Sequence, residues 1–399
     1  MKILFVNKFL YENGGSETYI FRLRDYFESI GHEVQFFGMQ DERNIAGNNW
    51  NILTKNLTFG KVSPEKLLYP LKIIYSLEAR RKIKRVIELF KPDIIHLNNI
   101  NFQITPSIIY EIKKHDIPII FTAHDYQLIC PNHMLYQPCK GILCEECIIS
   151  GFFRCTKNNC IHGSKWKSIL GSFESILYHS LKTYMLIDKI ICPSEFLEKK
   201  LLSSAVFYGK TIVMHNFIQK RKNEGFGKKG NYVLYFGRFA EEKGIRTLVS
   251  VCRRLPEIPF VFAGSGPLSD LLNDVHNIKN VGFLKDDELK ETISTALFSV
   301  YPSEWYENCP FSVMESQIYG TPVIGANIGG IPELIRNGET GLLFHSANKD
   351  DLLDKISTLW YDQQLLEEMT KNCLKTEFDT PVAYGEKLKT LYLQAINRE

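Results

Sequence analysis

Glu304-Trp-Tyr-Glu-Asn-Cys-Pro-Phe-Ser-Val-Met-Glu315 stands between two short apolar runs, Phe298 to Tyr301 and Pro322 to Ile324. A run of about four apolar residues bounded by polar ones reads as a buried strand, and proline opens a helix without losing a hydrogen bond. The stretch therefore predicts a strand, a loop, a helix started by Pro310 and a second strand. Glu307 falls in the loop and Glu315 about one turn inside the helix. Loops that leave the carboxyl ends of parallel strands are where such sheets bind ligands. Two carboxylates at this spacing suit hydroxylated rings bound in tandem, with the helix N-terminus facing the phosphates that join them. The following Gly320-Thr-Pro-Val-Ile-Gly-Ala-Asn-Ile-Gly-Gly-Ile-Pro-Glu333 supplies a tight strand and a glycine-rich turn.

The same alternation runs outward in both directions. Lys2 to Val6, Val34 to Phe37, Ile94 to Leu97, Ile119 to Phe121, Lys189 to Ile191 and Thr211 to Met214 read as strands before it, and Tyr232 to Phe236 and Phe260 to Ala263 restart the pattern. Ser16 is placed to cap a helix whose apolar residues Tyr19, Ile20, Leu23, Tyr26, Phe27 and Ile30 recur at helical spacing up to Gly31. Strands alternating with helices predict an α/β protein with parallel sheets. The polar, glycine-bearing residues 218–230 read as a linker, which divides the chain into a domain over 1–217 and another over 231–375. Residues 376–399 read as a helix that packs back on the first domain.

The 399 residues carry a net charge of +3, which argues against a nucleic-acid binder. No run of 18 apolar residues is present, and the first apolar run breaks after Val6, too early for a signal peptide. A cytoplasmic protein is the expectation. Two segments are candidates for lying on a membrane surface at its inner face: residues 61–90, with Lys61, Lys66, Lys72, Arg80, Arg81, Lys82, Lys84 and Arg85 among apolar residues, and Lys165 to Tyr184, with Trp166, Ile169, Leu170, Phe173, Ile176 and Leu177. For the first, a solvated helix face over an ordinary core explains the pattern equally well.

Two further motifs follow strands. Asn13-Gly-Gly-Ser-Glu17 opens the first helix, and Phe236-Gly-Arg-Phe-Ala-Glu-Glu-Lys-Gly244 places Arg238 and Lys243 around one turn, where they could converge on a diphosphate. Together with Ala263-Gly-Ser-Gly-Pro267, Glu307 to Glu315, Gly329-Gly330-Ile-Pro-Glu333 and Gly338 with Gly341, these motifs resemble the family-4 retaining glycosyltransferases of the GT-B fold, two Rossmann-like domains facing a cleft. The resemblance implies a nucleotide-sugar donor, a UDP- or GDP-sugar, and a saccharide or lipid-linked acceptor in glycan assembly. It implies that Arg238 and Lys243 bind the diphosphate, Glu315 the ribose, and Glu307 the donor sugar. It further implies donor contacts from Gly15, Gly264, Phe311 and Ser312, a base site at Phe283 and Leu284, and a sugar-side role for His124. No cofactor is then required for catalysis, since cationic side chains and helix N-termini face the leaving group. One departure is His215-Asn-Phe-Ile218, where many relatives carry Asn-Gly-Val-Asp. Rival readings are a GT-B-like nucleotide-sugar epimerase, a non-catalytic glycan-binding partner subunit and, least favoured, a phosphorylase.

Six of the ten cysteines, Cys130, Cys139, Cys144, Cys147, Cys155 and Cys160, fall between residues 130 and 165. Without a signal peptide, a C-x2-C pair with neighbours points to a structural zinc site before a disulfide framework. Cys139, Cys144, Cys147 and Cys160 are the expected ligands, with Cys130 and Cys155 in reserve. An iron–sulfur cluster and plain reduced core cysteines are the alternatives. The cysteine-bearing insertion after His124-Asp-Tyr resembles that of a bacterial subset of the family.

Overall fold

The computed structural model describes residues 1–56, 69–219 and 228–398. Lys61, Lys66 and most of the expected linker lie outside the described residues. The chain forms two compact units: residues 1–139, 144–217 and 381–399 make the first, and residues 218–380 with 140–143 the second. Among the described residues no helix is long and apolar enough to cross a membrane.

The N-terminal half carries β1 (Lys2–Val6), β2 (Glu33–Phe37), β3 (Ile94–Leu97), β4 (Ile119–Thr122), β5 (Tyr136–Gln137), β6 (Ile142–Leu143), β7 (Lys189–Cys192) and β8 (Thr211–Val213). Six of these form a parallel sheet in the order β2-β1-β3-β4-β7-β8, and β5 pairs only with β6. The helices of this half are α1 (Gly15–Ser29), α2 (Tyr69–Ile74), α3 (Leu77–Phe90), α4 (Ser107–Lys114), α5 (Glu146–Ser150), α6 (Phe153–Lys157), α7 (Lys165–Ser180) and α8 (Glu195–Leu201). Helix α1 buries Tyr19, Ile20, Leu23, Tyr26 and Phe27, but Ser16 does not cap it. Gly14 is the N-cap, and the Ser16 hydroxyl instead donates to Glu17 at 2.9 Å. Helix α3 is capped by Ser76 and buries Ala79, Ile83, Val86, Ile87 and Phe90. Its cations Arg80 and Lys82 pair with Glu111 and Glu78 at 2.9 and 2.8 Å.

The second unit holds β9 (Val233–Phe236), β10 (Phe260–Ala263), β11 (Ile278–Gly282), β12 (Phe298–Tyr301), β13 (Val323–Ala326) and β14 (Gly341–Phe344). Their order is β11-β10-β9-β12-β13-β14, all parallel, the doubly wound arrangement of a Rossmann sheet. Between them run α9 (Ile245–Cys252), α10 (Asp286–Thr295) and α11 (Phe311–Ile318), and α12 (Lys349–Tyr361) and α13 (Gln363–Leu374) follow β14. The edge strands β11 and β14 are not evident from the sequence. Lys279 and Asn280 are exposed in β11, so it lacks the continuous apolar run that marks a central strand.

The last helix, α14 (Pro381–Asn397), belongs to the first unit and is tied there by a buried polar network. The Tyr384 hydroxyl lies 3.0 Å from that of Tyr19, which in turn meets Thr122 Oγ1 at 3.1 Å. The His96 ring joins the Tyr392 hydroxyl at 2.5 Å to Thr122 at 2.7 Å. Every member of this network is fully buried, so each polar atom without its partner would leave a desolvated group unsatisfied. Burial, with His124 nearby, pushes the His96 imidazole down to about 3. The unfolded chain therefore binds a proton at this residue from about pH 6.5 downward that the folded chain refuses, and stability from His96 falls as pH falls through that window. A His96→Asn variant is expected to be less stable than the parent at pH 7. Between pH 7 and 5 that gap should narrow by about 2 kcal/mol, read from urea unfolding midpoints; a gap that stays constant would refute the assignment.

Candidate active site

In an open α/β sheet the crevice lies where the strand order reverses. In the second unit that point is between β9 and β12, and the loops after these two strands carry Gly237 to Lys243 and Ser303 to Glu307. Lys243 ends a short turn, Glu241–Lys243, and its Nζ stands 2.5 Å from Glu307 Oε1. The same oxygen accepts from Trp305 Nε1 at 2.6 Å and from Ser303 Oγ at 3.0 Å. Both charged side chains are largely withdrawn from water, at 18% and 9% exposure. Lys243 also lies over the rings of Trp305 and Tyr301, 5.2 and 5.9 Å from their centroids. A lysine ammonium carries three N–H groups, so the bond to Glu307 fixes the ammonium while leaving donors for a second anion.

Arg238 and Lys243 do not stand together as two bare cations awaiting a diphosphate. Arg238 pairs with Glu242, and Lys243 with Glu307. The reasons are local: Arg238 and Glu242 are four residues apart around the turn, and a lysine this buried requires a counter-charge. Arg238 nonetheless remains 61% exposed. It borders a cavity of about 420 Å³ that Gly237, Gly264, Phe283 and Leu284 also line. Gly264 has φ +149°, and a Cβ there would stand 1.9 Å from the Gly237 carbonyl oxygen, so only glycine lets these two loops approach. The Gly329-Gly330 turn acts similarly on Glu307: a Cβ on Gly329 (φ +60°) would meet the Glu307 carbonyl at 2.3 Å, and Gly330 N–H donates to that carbonyl at 2.7 Å.

Phe311 and Ser312 open α11 directly after its N-cap, Pro310, and Glu315 is half-buried one turn further on. The residues that sequence reasoning missed here are Ser303, Trp305 and Glu242. Trp305 carried a signal, since it stands two positions before Glu307 in the quoted motif.

In the first unit the strand order reverses between β1 and β3. Gly15 is the exposed first residue of α1, beside a fixed polar cluster: Asn7 Nδ2 donates to Glu17 Oε1 at 2.8 Å and Asn99 Nδ2 to Ser16 Oγ at 2.9 Å. His124 follows β4, with Nε2 2.9 Å from Asn98 Oδ1 and Tyr19 packed edge-on at 5.0 Å. Burial pushes its imidazole down to about 3, so the ring is neutral. The neighbouring Asp125 carboxyl is pushed up to about 6, by burial first, against opposing bonds from Gln127 and charge from Lys8. Asn98, Lys8 and Asp125 were not anticipated, although Asp125 adjoins His124 in the sequence.

Of the four expected metal ligands, Cys144, Cys147 and Cys160 line one small cavity, together with Cys130 and Cys155. Cys139 is exposed and does not line that cavity. Cys139 lies in the turn that joins β5 to β6, which carries it away from the cavity.

The Lys243–Glu307 pair should behave as one unit in the stability of the second unit. Lys243→Met alone is expected to cost about 3 kcal/mol by leaving a buried carboxylate without its cation. Lys243→Met with Glu307→Gln should cost less than the sum of the singles by at least about 1 kcal/mol. Strictly additive losses in a double-mutant cycle would contradict the pairing.

Residues 13–221 match the family model described as Glycosyltransferase Family 4, and residues 216–376 match Glycosyl transferases group 1. The sulfoquinovosyl transferase of Arabidopsis thaliana is 34% identical over 145 residues, 35% of this chain and 28% of its own length. The chain thus spans under a third of that relative. Among solved structures, sucrose-phosphate synthase from Thermosynechococcus elongatus superposes with a TM-score of 0.72 at 16% identity, covering all of both chains. Anabaena HepE in complex with UDP-glucose gives 0.68 at 15% identity over 98% of this chain and 99% of that one. These likenesses show the GT-B fold. With the first family model covering more than half of its residues, the chain belongs to glycosyltransferase family 4.

Proposed function

We propose that the chain is a retaining hexosyltransferase that moves a sugar from a UDP- or GDP-sugar to a saccharide or lipid-linked acceptor in glycan assembly. The observation that carries this reading is the crevice of the second unit. There the paired Lys243 and Glu307 lie between the two strands where the sheet order reverses, and Arg238 borders a cavity flanked by Phe283 and Leu284. The HepE complex, which holds UDP-glucose on the same fold, supports a donor of that class.

Cleaving a sugar–phosphate bond builds oxocarbenium-like charge on the sugar and negative charge on the departing diphosphate. Lys243 and Arg238 would meet that negative charge, and they would do so more strongly in the transition state than in the ground state. Amides of Phe311 and Ser312 at the start of α11 would add donors to the same phosphates. Gly264 would let the backbone approach the nucleotide, and Glu315 would take the ribose hydroxyls. Glu307, held by three donors, would orient both Lys243 and a sugar hydroxyl. Gly15, opening α1, would offer its amide to the donor. His124, being neutral, could hydrogen-bond the sugar without placing a positive charge beside the oxocarbenium. In this reading the transfer itself needs no cofactor, since protein cations serve the leaving group.

Incubation with UDP- and GDP-hexoses and saccharide or polyprenyl-linked acceptors, followed by NMR of the product, tests the proposal. The product should keep the donor's anomeric configuration, and Lys243→Ala should lower kcat/KM by about a hundredfold or more. An inverted product would overturn retention. Release of a free epimer without any acceptor would favour the epimerase reading, and binding without turnover the partner-subunit one.

A membrane-bound acceptor is favoured by helix α7. It buries Ser168, Gly171, Ser172, Glu174, Ser175 and Tyr178, while Trp166 and Phe173 stand 78% and 53% exposed. An ordinary surface helix does the reverse. Phe153 and Ile149 on the two preceding helices are also exposed, as are Leu181 and Met185 just beyond α7. Lys157, Lys165 and Lys182 are exposed among them and form no ion pair among the described residues. Large apolar side chains with unpaired lysines suit the inner face of an anionic bilayer from the cytoplasm. The protein should co-sediment with phosphatidylglycerol vesicles and much less with phosphatidylcholine ones. Trp166→Ser with Phe173→Ser should weaken that binding about tenfold or more; unchanged binding would remove α7 from the membrane contact.

A further inference from the structure

The segment that follows β4, residues 130–163, has almost no aliphatic core. Its regular elements are the two-residue strands β5 and β6 and the five-residue helices α5 and α6. Elements this short do not persist without tertiary support. The buried cluster that supports them consists of Cys147, Cys155, Cys160 and Ile161, with Phe102 and Phe152 packed against it. Non-glycine residues in the left-handed region, His133, Leu135, Asn159 and His162, add backbone conformations that must be held by something stronger than this.

At the centre of the segment is a cavity of about 10 Å³, lined by Cys130, Cys144, Cys147, Cys155 and Cys160 with Asn132 and Tyr136. That is room for about one atom. Cys130, Cys147, Cys155 and Cys160 are buried, whereas Cys144 is only partly so and accepts from Gln137 Nε2 at 3.1 Å. The Cys130 thiol donates to Asn132 Oδ1 at 2.8 Å, and Cys147 Sγ lies 3.9 Å from the Phe152 carbonyl oxygen.

We infer that Cys130, Cys147, Cys155 and Cys160 bind one tetrahedral, thiophilic divalent cation, zinc by its preference for four sulfurs. Binding forms four Zn–S bonds and releases the four thiol protons to solvent. Among the described residues no three Cys, His, Asp or Glu side chains already stand around a common metal position. Closing four sulfurs on one ion in the cavity they line would couple metal binding to folding of the segment. The metal is structural, because four thiolates leave no open coordination position. This inference is independent of the sugar chemistry.

The full-length protein, purified in reductant without added metal, should contain about one zinc per chain by elemental analysis. After exchange with cobalt it should show sulfur-to-cobalt charge transfer and the d–d bands of a tetrahedral tetrathiolate. Cys155→Ser and Cys160→Ser should each reduce zinc to about a tenth per chain, while Cys139→Ser retains it. Should the first two variants fail to fold, the cobalt spectrum of the unmutated chain still counts the thiolates. Metal-free protein with all ten thiols titratable would overturn the inference. So would eight titratable thiols, which would mark a Cys155–Cys160 disulfide in place of the metal. Loss of zinc in Cys139→Ser with retention in Cys155→Ser would overturn the ligand set.

Discussion

The ion pair between Lys243 and Glu307 is the constraint from which the second unit's chemistry follows. A lysine drawn out of water beside two aromatic rings is tolerable only with a counter-charge, and Glu307 supplies it at 2.5 Å. The carboxylate is in turn held by Trp305 and Ser303, and its backbone by the Gly329-Gly330 turn. Loops after β9, β12 and β13 therefore converge on one carboxylate, and the ammonium it fixes keeps donors to spare. In the proposed transfer, an ammonium placed in advance would avoid the reorganisation that a flexible surface lysine needs as charge develops on a leaving phosphate.

The two units reach comparable crevices by different means. In the second, a charged pair occupies the point where the strand order reverses. In the first, the corresponding place is filled by neutral amides and hydroxyls, Asn7, Ser16 and Asn99, around the carboxylate of Glu17, with a neutral His124 after β4.

Much of this architecture could be read before the coordinates. The central strands β9, β12 and β13 are continuous apolar runs because both of their faces are covered, and the loops after them carry the site residues. The edge strand β11 escaped because its Lys279 and Asn280 are exposed and break the apolar run, and β14 because only Leu342 to Phe344 are apolar. The Arg238–Glu242 and Lys243–Glu307 pairings escaped for another reason: the motif lists the charges without saying which acid each cation will take. His96 meets Tyr392 across 296 positions, a partnership that no local pattern announces. Cysteine spacing located the sulfur-rich segment, but the β5–β6 hairpin, with Cys139 in its turn, decides which sulfurs meet.

The most direct test of the donor crevice is thermal unfolding with UDP, GDP, ADP and CMP for the unmutated chain and for Lys243→Ala. A nucleotide present at about a hundred times its dissociation constant should stabilise the folded chain by about 2.7 kcal/mol. The account predicts such a shift with UDP or GDP in the unmutated chain and its loss in Lys243→Ala. No shift with any of the four, or an equal shift in both proteins, would contradict it.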